Sequence, residues 1–138
     1  MKISIAANKK IVQFQEEFSA FFPFLKTEFF TRPHEESGPT WSKYMIFNRT
    51  KTLGEIRQNP VGNNETDFVF LPEMKTGDFE KALWDRYALS VQVFRKSMGS
   101  FLETTASDSW TLAEQNSKGE ESAHTVVEMV YEERTNED

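Results

Sequence analysis

The chain contains no cysteine among its 138 residues. This absence excludes disulfides, thiolate catalysis and cysteine-ligated metals, and it favours a reducing compartment. Glycine is scarce, and no Walker loop, dinucleotide-binding glycine motif or Gly-x-Ser-x-Gly elbow is present. The two histidines, His34 and His124, have no ligand partners at metal-binding spacing. The sequence therefore predicts no cofactor, no metal and no catalytic residue, and it favours a protein that is not an enzyme.

Long apolar runs are missing as well. No stretch approaches the ~18 to 20 apolar residues that a membrane-spanning helix requires. The first residues also lack the apolar stretch of a secretory signal. We therefore expect a cytoplasmic protein that does not contact a membrane, and a length of 138 residues fits a single domain.

Surplus positive charge is the third absence. The net charge is −6, but seven of the 22 acidic residues follow Gly119 and only one of the 16 basic residues does. Residues 1–118 are therefore balanced, with 15 acids and 15 bases. Because non-specific affinity for nucleic acid depends on Lys and Arg, the sequence disfavours nucleic acid as a partner.

Phenylalanine is abundant, with 13 residues, and its spacing reveals an internal repeat. Residues 2–31 and 67–95 each read as a strand, an amphipathic helix and a second strand. The helices align at a spacing of 65, which places Phe14 on Phe79, and the second strands align at 64, which places Phe30 on Phe94. A helix-capping pattern, Thr-Leu-x-Glu, follows each unit at residues 52–55 and 111–114. We predict one domain built from two similar halves, about 1–58 and 67–119, followed by a C-terminal strand and an acidic tail.

The two units predict the architecture. A strand-helix-strand unit normally closes with parallel strands and its helix on one face. Further strands are expected over residues 44–48, 101–105 and 125–131, and short helices over residues 53–58 and 110–118, the second ending at Gly119. We expect an α+β fold of duplicated β-α-β(-β-α) units, with a ferredoxin-like mixed sheet of five to six strands and two main helices on one face. A β-grasp-like or other mixed α+β sandwich is the alternative.

The second face of this predicted sheet is the candidate functional region. Phe30 and Phe94 occupy equivalent positions there, because alternate residues of a strand point to opposite faces. The short helices could cover these rings with Leu53, Ile56, Trp110 and Leu112, or a second copy or a ligand could occupy the face. The residues that we select as a candidate interaction surface are Phe30, Phe94, Trp110, Arg95 and Lys96.

Three functions remain open from the sequence. The leading hypothesis is a non-enzymatic protein-interaction or regulatory module that binds a protein partner or a second copy of itself. The alternative is a small-molecule-binding or enzymatic domain that uses a groove between the halves. Single-stranded nucleic acid stacked on the aromatic face is the third hypothesis, and the charge balance disfavours it. The acids Glu103, Asp108 and Glu114 are expected on a solvated edge and at a helix start, so they do not indicate acid-base catalysis.

Two segments, residues 89–97 (LSVQVFRKS) and 111–116 (TLAEQN), resemble small bacterial proteins that have no assigned function. The resemblance covers the second half of the chain and includes no catalytic motif. It implies a bacterial, cytoplasmic origin, and it transfers no functional residues.

Overall fold

The structure of the protein, a computed structural model, describes residues 1–33, 42–57 and 66–136. These ranges contain both helices and strands, so the fold belongs to the α+β class. The strands are β1 (Lys2–Ser4), β2 (Leu25–Phe30), β3 (Asp67–Val69), β4 (Ser90–Ser97) and β5 (Ser100–Glu103). The α-helices are α1 (Ile11–Phe21), α2 (Leu53–Ile56), α3 (Thr76–Tyr87) and α4 (Leu112–Asn136).

The five strands lie in two antiparallel sheets. Strand β1 pairs with β3, and β4 lies between β2 and β5 in a sheet of three strands. Within the described ranges, neither the expected sheet of five to six strands nor the ferredoxin-like arrangement is confirmed, and the pairing of β1 and β2 as parallel neighbours is wrong. The physical reason is that alternation along a strand fixes which side chains face the core but not which strand lies beside it. Here each strand of the first half pairs with its counterpart in the second.

One residue pair in each of the two ladders between the halves has the separation at which the halves align in the sequence. Ile3 lies opposite Phe68, a separation of 65, and Glu28 lies opposite Gln92, a separation of 64. These are the two spacings at which the helices and the second strands align in the sequence. Antiparallel pairing of equivalent residues is the geometry that a two-fold axis imposes on two similar units.

The loops at the helix starts carry the same hydrogen bonds in both halves. In the first half the N–H of Ile11 donates to Lys51 O (2.9 Å), and in the second the N–H of Thr76 donates to Trp110 O (2.8 Å). Three further backbone hydrogen bonds recur in the second half. In each, the partner from residues 7–12 is replaced by the residue 65 positions later, and the partner from residues 49–54 by the residue 59 positions later. They are Val12 N to Arg49 O with Gly77 N to Asp108 O, Leu53 N to Lys9 O with Leu112 N to Met74 O, and Gly54 N to Ala7 O with Ala113 N to Pro72 O.

One hydrophobic core joins both sheets through helices α1 and α3. The rings of Phe18 and Phe79 meet between the helices, with centroids 5.3 Å apart. Phe14 packs edge-on against Phe29 of the larger sheet at 5.2 Å, and Phe79 packs against Phe68 of the smaller sheet at 5.6 Å. Such offset and edge-on contacts add about 0.5–1.5 kcal/mol per pair to the burial of apolar area. The phenylalanines therefore connect the halves as well as the layers.

The predicted strand over residues 44–48 is present only as a short contact. A 3₁₀ turn spans Ser42–Tyr44, and Met45 then forms a single bridge with Phe30. Two backbone bonds of 2.8 Å flank the bridge, from Thr31 N to Tyr44 O and from Ile46 N to Phe29 O. This segment thus lies along β2 on the side opposite β4, but it is too short to count as a strand.

Helix α4 differs most from the prediction. It runs from Leu112 to Asn136, through Gly119 and through the segment 125–131 that we expected to be a strand. Gly119 does not end the helix, because it serves close packing: a Cβ there would lie 2.9 Å from Phe24 Cβ and 3.0 Å from Phe24 O. The sequence pattern predicted a helix end at Gly119, whereas in the structure this glycine lies within the helix, where Phe24 contacts it.

Candidate functional site

The structure separates the five residues of the candidate interaction surface into two groups. Phe30 is 2% exposed and Phe94 is 8% exposed, so both rings belong to the interior. Trp110 is 37% exposed, and Arg95 and Lys96 are half-buried. The accessible members of the predicted set are therefore Trp110, Arg95 and Lys96.

The burial of Phe94 does not come from the short helices. Their leucines, Leu53 and Leu112, belong to the main core cluster, which does not include Phe30 or Phe94. The ammonium of Lys26 lies over the Phe94 ring instead, 5.4 Å from its centroid.

The same ammonium lies 4.5 Å from the ring centroid of Phe101, and 3.4 Å from Glu28 Oε1. The Lys26 side chain thus covers part of the Phe94 ring, as long basic side chains do when they lie along apolar surface. Because Phe30 and Phe94 are buried, they do not form the stacking platform that single-stranded nucleic acid would require.

Trp110 and Arg95 form a rigid pair at the surface. The guanidinium of Arg95 lies 5.3 Å from the Trp110 ring, and its Nη1 donates to Gln115 Oε1 at 2.9 Å. Gln115 is fully buried and its Nε2 donates to Ser107 O at 2.7 Å. The carbonyl of Trp110 accepts two bonds from Thr76, from N at 2.8 Å and from Oγ1 at 2.9 Å. An aromatic side chain whose backbone is held in this way loses little entropy when it binds.

The hairpin of β4 and β5 places further apolar side chains beside this pair. Its two-residue turn has positive φ at Met98 (50°) and Gly99 (84°), as a type I′ hairpin turn requires. Phe101 lies opposite Lys96 and Leu102 lies opposite Arg95. Phe101 is 44% exposed, Leu102 47% and Met98 58%. We call the following six residues the hairpin surface: Arg95, Lys96, Met98, Phe101, Leu102 and Trp110.

Sequence reasoning missed Phe101 and Leu102, although a signal was present. Adjacent residues of a strand point to opposite faces, so a strand with two neighbouring apolar residues can bury only one of them against a single core. In β5 neither is buried. β5 is also the outer strand of its sheet among the described residues, and an outer strand with exposed apolar side chains is a template for pairing with another chain.

Shallow grooves extend the hairpin surface along helix α4. One, of about 210 Å³, includes Arg95, Lys96 and Lys118 in its lining, and the other, of about 340 Å³, includes Trp110 and Lys118. The backbone N–H of Met98 donates to Ser122 Oγ at 2.6 Å, which fixes the hairpin tip to the helix. The hairpin tip is therefore attached to the helix, and the hairpin surface includes residues on both faces of the outer strand.

A larger groove, of about 520 Å³, lies at the start of helix α3. Its walls include the ring of Trp84 and the exposed Asp78, and the buried Glu80 also lines it, with one carboxylate oxygen accepting from Val93 N at 2.8 Å. Lys81 also lines it, and its hydrogen bond with Asp85 raises the pKa of the Lys81 ammonium. The groove thus combines an aromatic wall with charges of both signs.

The part of the chain that the structure describes contains neither a metal-binding cluster nor a membrane-spanning helix. No group of three or more His, Asp or Glu side chains there is arranged to hold a metal ion. None of the helices there combines the length and the apolar character needed to cross a bilayer. His124 lies exposed on α4 with its Nε2 3.7 Å from Glu120, whereas His34 lies outside the described residues.

Comparison of the chain with protein-family models, with curated proteins and with solved structures gave no match.

Proposed function

We propose that the protein is a non-enzymatic protein-interaction module whose contact region is the hairpin surface. The observation that carries the proposal is the exposure of two neighbouring apolar residues, Phe101 and Leu102, on an outer strand. Fully burying one such side chain stabilises by about 1.5–3 kcal/mol, and the isolated chain leaves about half of that unrealised. Natural proteins protect outer strands with short length, charged side chains, Pro or bulges; β5 is four residues long and carries Glu103, but it contains no Lys or Pro, and its two central residues are apolar.

The neighbouring residues support the proposal. Trp and Arg are enriched among the residues that dominate binding energy, and Trp110 and Arg95 are stacked and held beside Leu102. The six residues of the hairpin surface include two basic ones, and the acidic Glu103 follows them on the same strand, so the region presents charges of both signs to a partner. A cytoplasmic location remains a prediction from the lack of a long apolar run and of a secretory signal, with which the absence of cysteine agrees.

The test compares two exposed apolar residues on different sheets. Leu102→Lys places a charge on the hairpin surface, and Val69→Lys, at a residue that is 59% exposed on β3, is the matched control. Tagged wild-type and variant chains serve as bait in cells that carry the gene, with association measured by quantitative mass spectrometry and by sedimentation. We expect Leu102→Lys to lose an association that Val69→Lys retains. The proposal fails if the wild-type chain forms no association that depends on Leu102.

A second candidate function rests on the groove at the start of helix α3. Its volume of about 520 Å³ lies within the range of ligand pockets, and Trp84 supplies an apolar wall beside charged groups. A bound metabolite would raise the melting temperature in proportion to its affinity. We expect a thermal-shift screen to separate the candidates: hits that Trp84→Ala abolishes would favour the groove, and their absence would leave the hairpin surface.

A further inference from the structure

The inference concerns the identity of the partner, and it rests on the proposed function. We propose that the hairpin surface binds a second copy of this chain, with the two β5 strands paired antiparallel about a two-fold axis at Leu102. The two sheets would then continue into one sheet across the axis. The chain already joins its own halves by antiparallel pairing of equivalent strands, so this mode of contact is one that its strands support.

The hydrogen-bond pattern of the hairpin fixes which backbone groups face outward. Thr104 N donates to Val93 O at 3.3 Å, so these two residues form a hydrogen-bonded pair. Bonded and non-bonded pairs alternate in an antiparallel ladder, which makes Arg95 and Leu102 the next bonded pair. The N–H and C=O of Leu102 therefore point toward β4, and those of Phe101 point away from it. An added strand would bond to Phe101.

An axis at Leu102 gives a register in which the side chains complement one another. Leu102 would face its own copy, and Phe101 would face Glu103 of the other chain. The Phe101 ring already has the Lys26 ammonium 4.5 Å from its centroid and Lys96 opposite it on β4. In each copy the Phe101 ring lies near the cations of Lys26 and Lys96, and Glu103 of the other copy would face it. The same contact would occur on both sides of the axis, so the charges of the two copies are complementary.

The other face of the sheet is complementary through apolar contact. Leu102 lies opposite Arg95, whose guanidinium stacks on Trp110. Across the axis the two leucines would meet, with one stacked Trp110–Arg95 pair on each side. Exposed apolar area on both faces of β5 would then be removed from water in a single contact.

The expected strength follows from size. Pairing of two four-residue strands with their flanking side chains falls below the ~1,200 Å² of total buried surface that is usual for stable complexes. We therefore expect a reversible monomer–dimer equilibrium that shifts with concentration, and Leu102→Lys should shift it toward the monomer.

The absence of cysteine makes the register directly testable. A Leu102→Cys variant carries the only thiol, and residues facing each other in a non-hydrogen-bonded pair have Cα atoms about 4.5 Å apart, within the range for a disulfide. Phe101→Cys is the register control, because in this arrangement its two copies lie about 8 Å apart, beyond that range. Met98→Cys, at the exposed hairpin tip, is the control for random collision. All three positions are at least 44% exposed, so the fold should tolerate each change.

Under mild oxidation of the full-length chain we expect Leu102→Cys to form a covalent dimer several times faster than Met98→Cys, and Phe101→Cys to match the Met98→Cys rate. A mixture of Phe101→Cys and Glu103→Cys chains should form the mixed dimer. Equal rates for Leu102→Cys and Met98→Cys would overturn the inference, and faster cross-linking of Phe101→Cys would overturn the register. If cross-linking fails while Leu102→Lys still abolishes capture of another protein, the second copy is excluded and the proposed function stands. If both fail, the hairpin surface has no role in binding.

Discussion

Glu28 shows how a single buried charge is held in this fold. It is 4% exposed, yet its Oε1 lies 3.2 Å from Arg49 Nη2 and 3.4 Å from Lys26 Nζ, and Gln15 Nε2 approaches Oε2 at 3.4 Å. Burying a carboxylate is costly unless donors of this kind surround it. Because the side chains of Lys26 and Arg49 are partly solvated, each ion pair alone contributes only modestly to the free energy of unfolding.

We predict that Arg49→Ala lowers the free energy of unfolding by about 1 kcal/mol, because it removes a charge-assisted hydrogen bond from a buried carboxylate whose partner is about half exposed. Urea unfolding followed by circular dichroism measures the change. Lys2→Ala is the matched control: it removes one positive charge from the pair with Asp67, at 3.5 Å, whose side chains are 71% and 50% exposed. That change should stay within about 0.5 kcal/mol. Equal losses in the two variants would contradict the prediction.

At the residue scale the sequence predicted well where burial follows from alternation. Alternation places Phe29 and Val93 on the face opposite to their neighbours Phe30 and Phe94, and both are in the main core cluster. Phe30 and Phe94 were expected on the second face, and their burial could not be derived, because it depends on what lies over that face. For Phe94 the cover includes the side chain of Lys26, and no periodic pattern shows where a flexible lysine settles.

Helix α4 shows the effect of one small residue on an element. Gly119 lies where the helix touches Phe24, and a methyl group there has no room. We predict that Gly119→Ala lowers stability by about 1 kcal/mol in denaturant unfolding, since overpacking costs about 1–3 kcal/mol and the gain in helix propensity is about 1 kcal/mol. Ser117→Ala, two residues earlier and exposed, should gain a few tenths of a kcal/mol. A stabilised Gly119→Ala variant would show that Phe24 can move away.

The turn between β4 and β5 contains a residue in an unfavourable backbone conformation. Met98 has a φ of 50°, a region that side chains other than Asn, Asp and Gly rarely occupy. We predict that Met98→Asn raises the melting temperature, because Asn-Gly is the preferred sequence of a type I′ turn. The gain should be about 0.5–1 kcal/mol. Lys96→Asn, in the same hairpin but within the strand, should instead lower stability because Asn is disfavoured in strands.

At the element scale the amphipathic helix expected within residues 67–95 is present as α3, Thr76–Tyr87. Strand neighbours were not predictable in the same way. The strand-helix-strand pattern suggested parallel partners within each half, whereas β2 pairs antiparallel with β4 of the other half. Strand pairing accompanies contacts such as that of Phe18 with Phe79, which join residues far apart in the chain, and a local sequence pattern does not reveal such contacts.

The arrangement of the whole molecule predicts that its halves can associate as separate chains. The contacts between the halves include the pairing of β1 with β3, the pairing of β2 with β4 and the ring contact of Phe18 with Phe79. We therefore expect fragments 1–62 and 63–138, when produced together, to purify as a one-to-one complex with the circular dichroism spectrum of the intact chain. The contacts are largely apolar, so the complex should persist at high salt.

Two variants make this association experiment specific. Phe79→Ala removes a ring that meets Phe18 across the halves, and a large-to-small change of this kind costs about 3–5 kcal/mol. It should abolish assembly of the fragments. Leu102→Lys lies on the hairpin surface, away from the contacts between halves, and should leave assembly unchanged. Fragments that fold separately and do not bind one another would contradict the prediction.

The pairing of Ile3 with Phe68 and of Glu28 with Gln92 has a consequence for how the sequence can vary. In a dimer of identical chains, whatever stands on the symmetry axis must face itself, so a buried Glu28 would meet a second carboxylate and the two charges would repel. Joined in one chain, the two positions are free to differ. In this chain the carboxylate of Glu28 faces the amide of Gln92, and Ile3 faces Phe68. Each of these central positions is therefore occupied by two different side chains that fit each other.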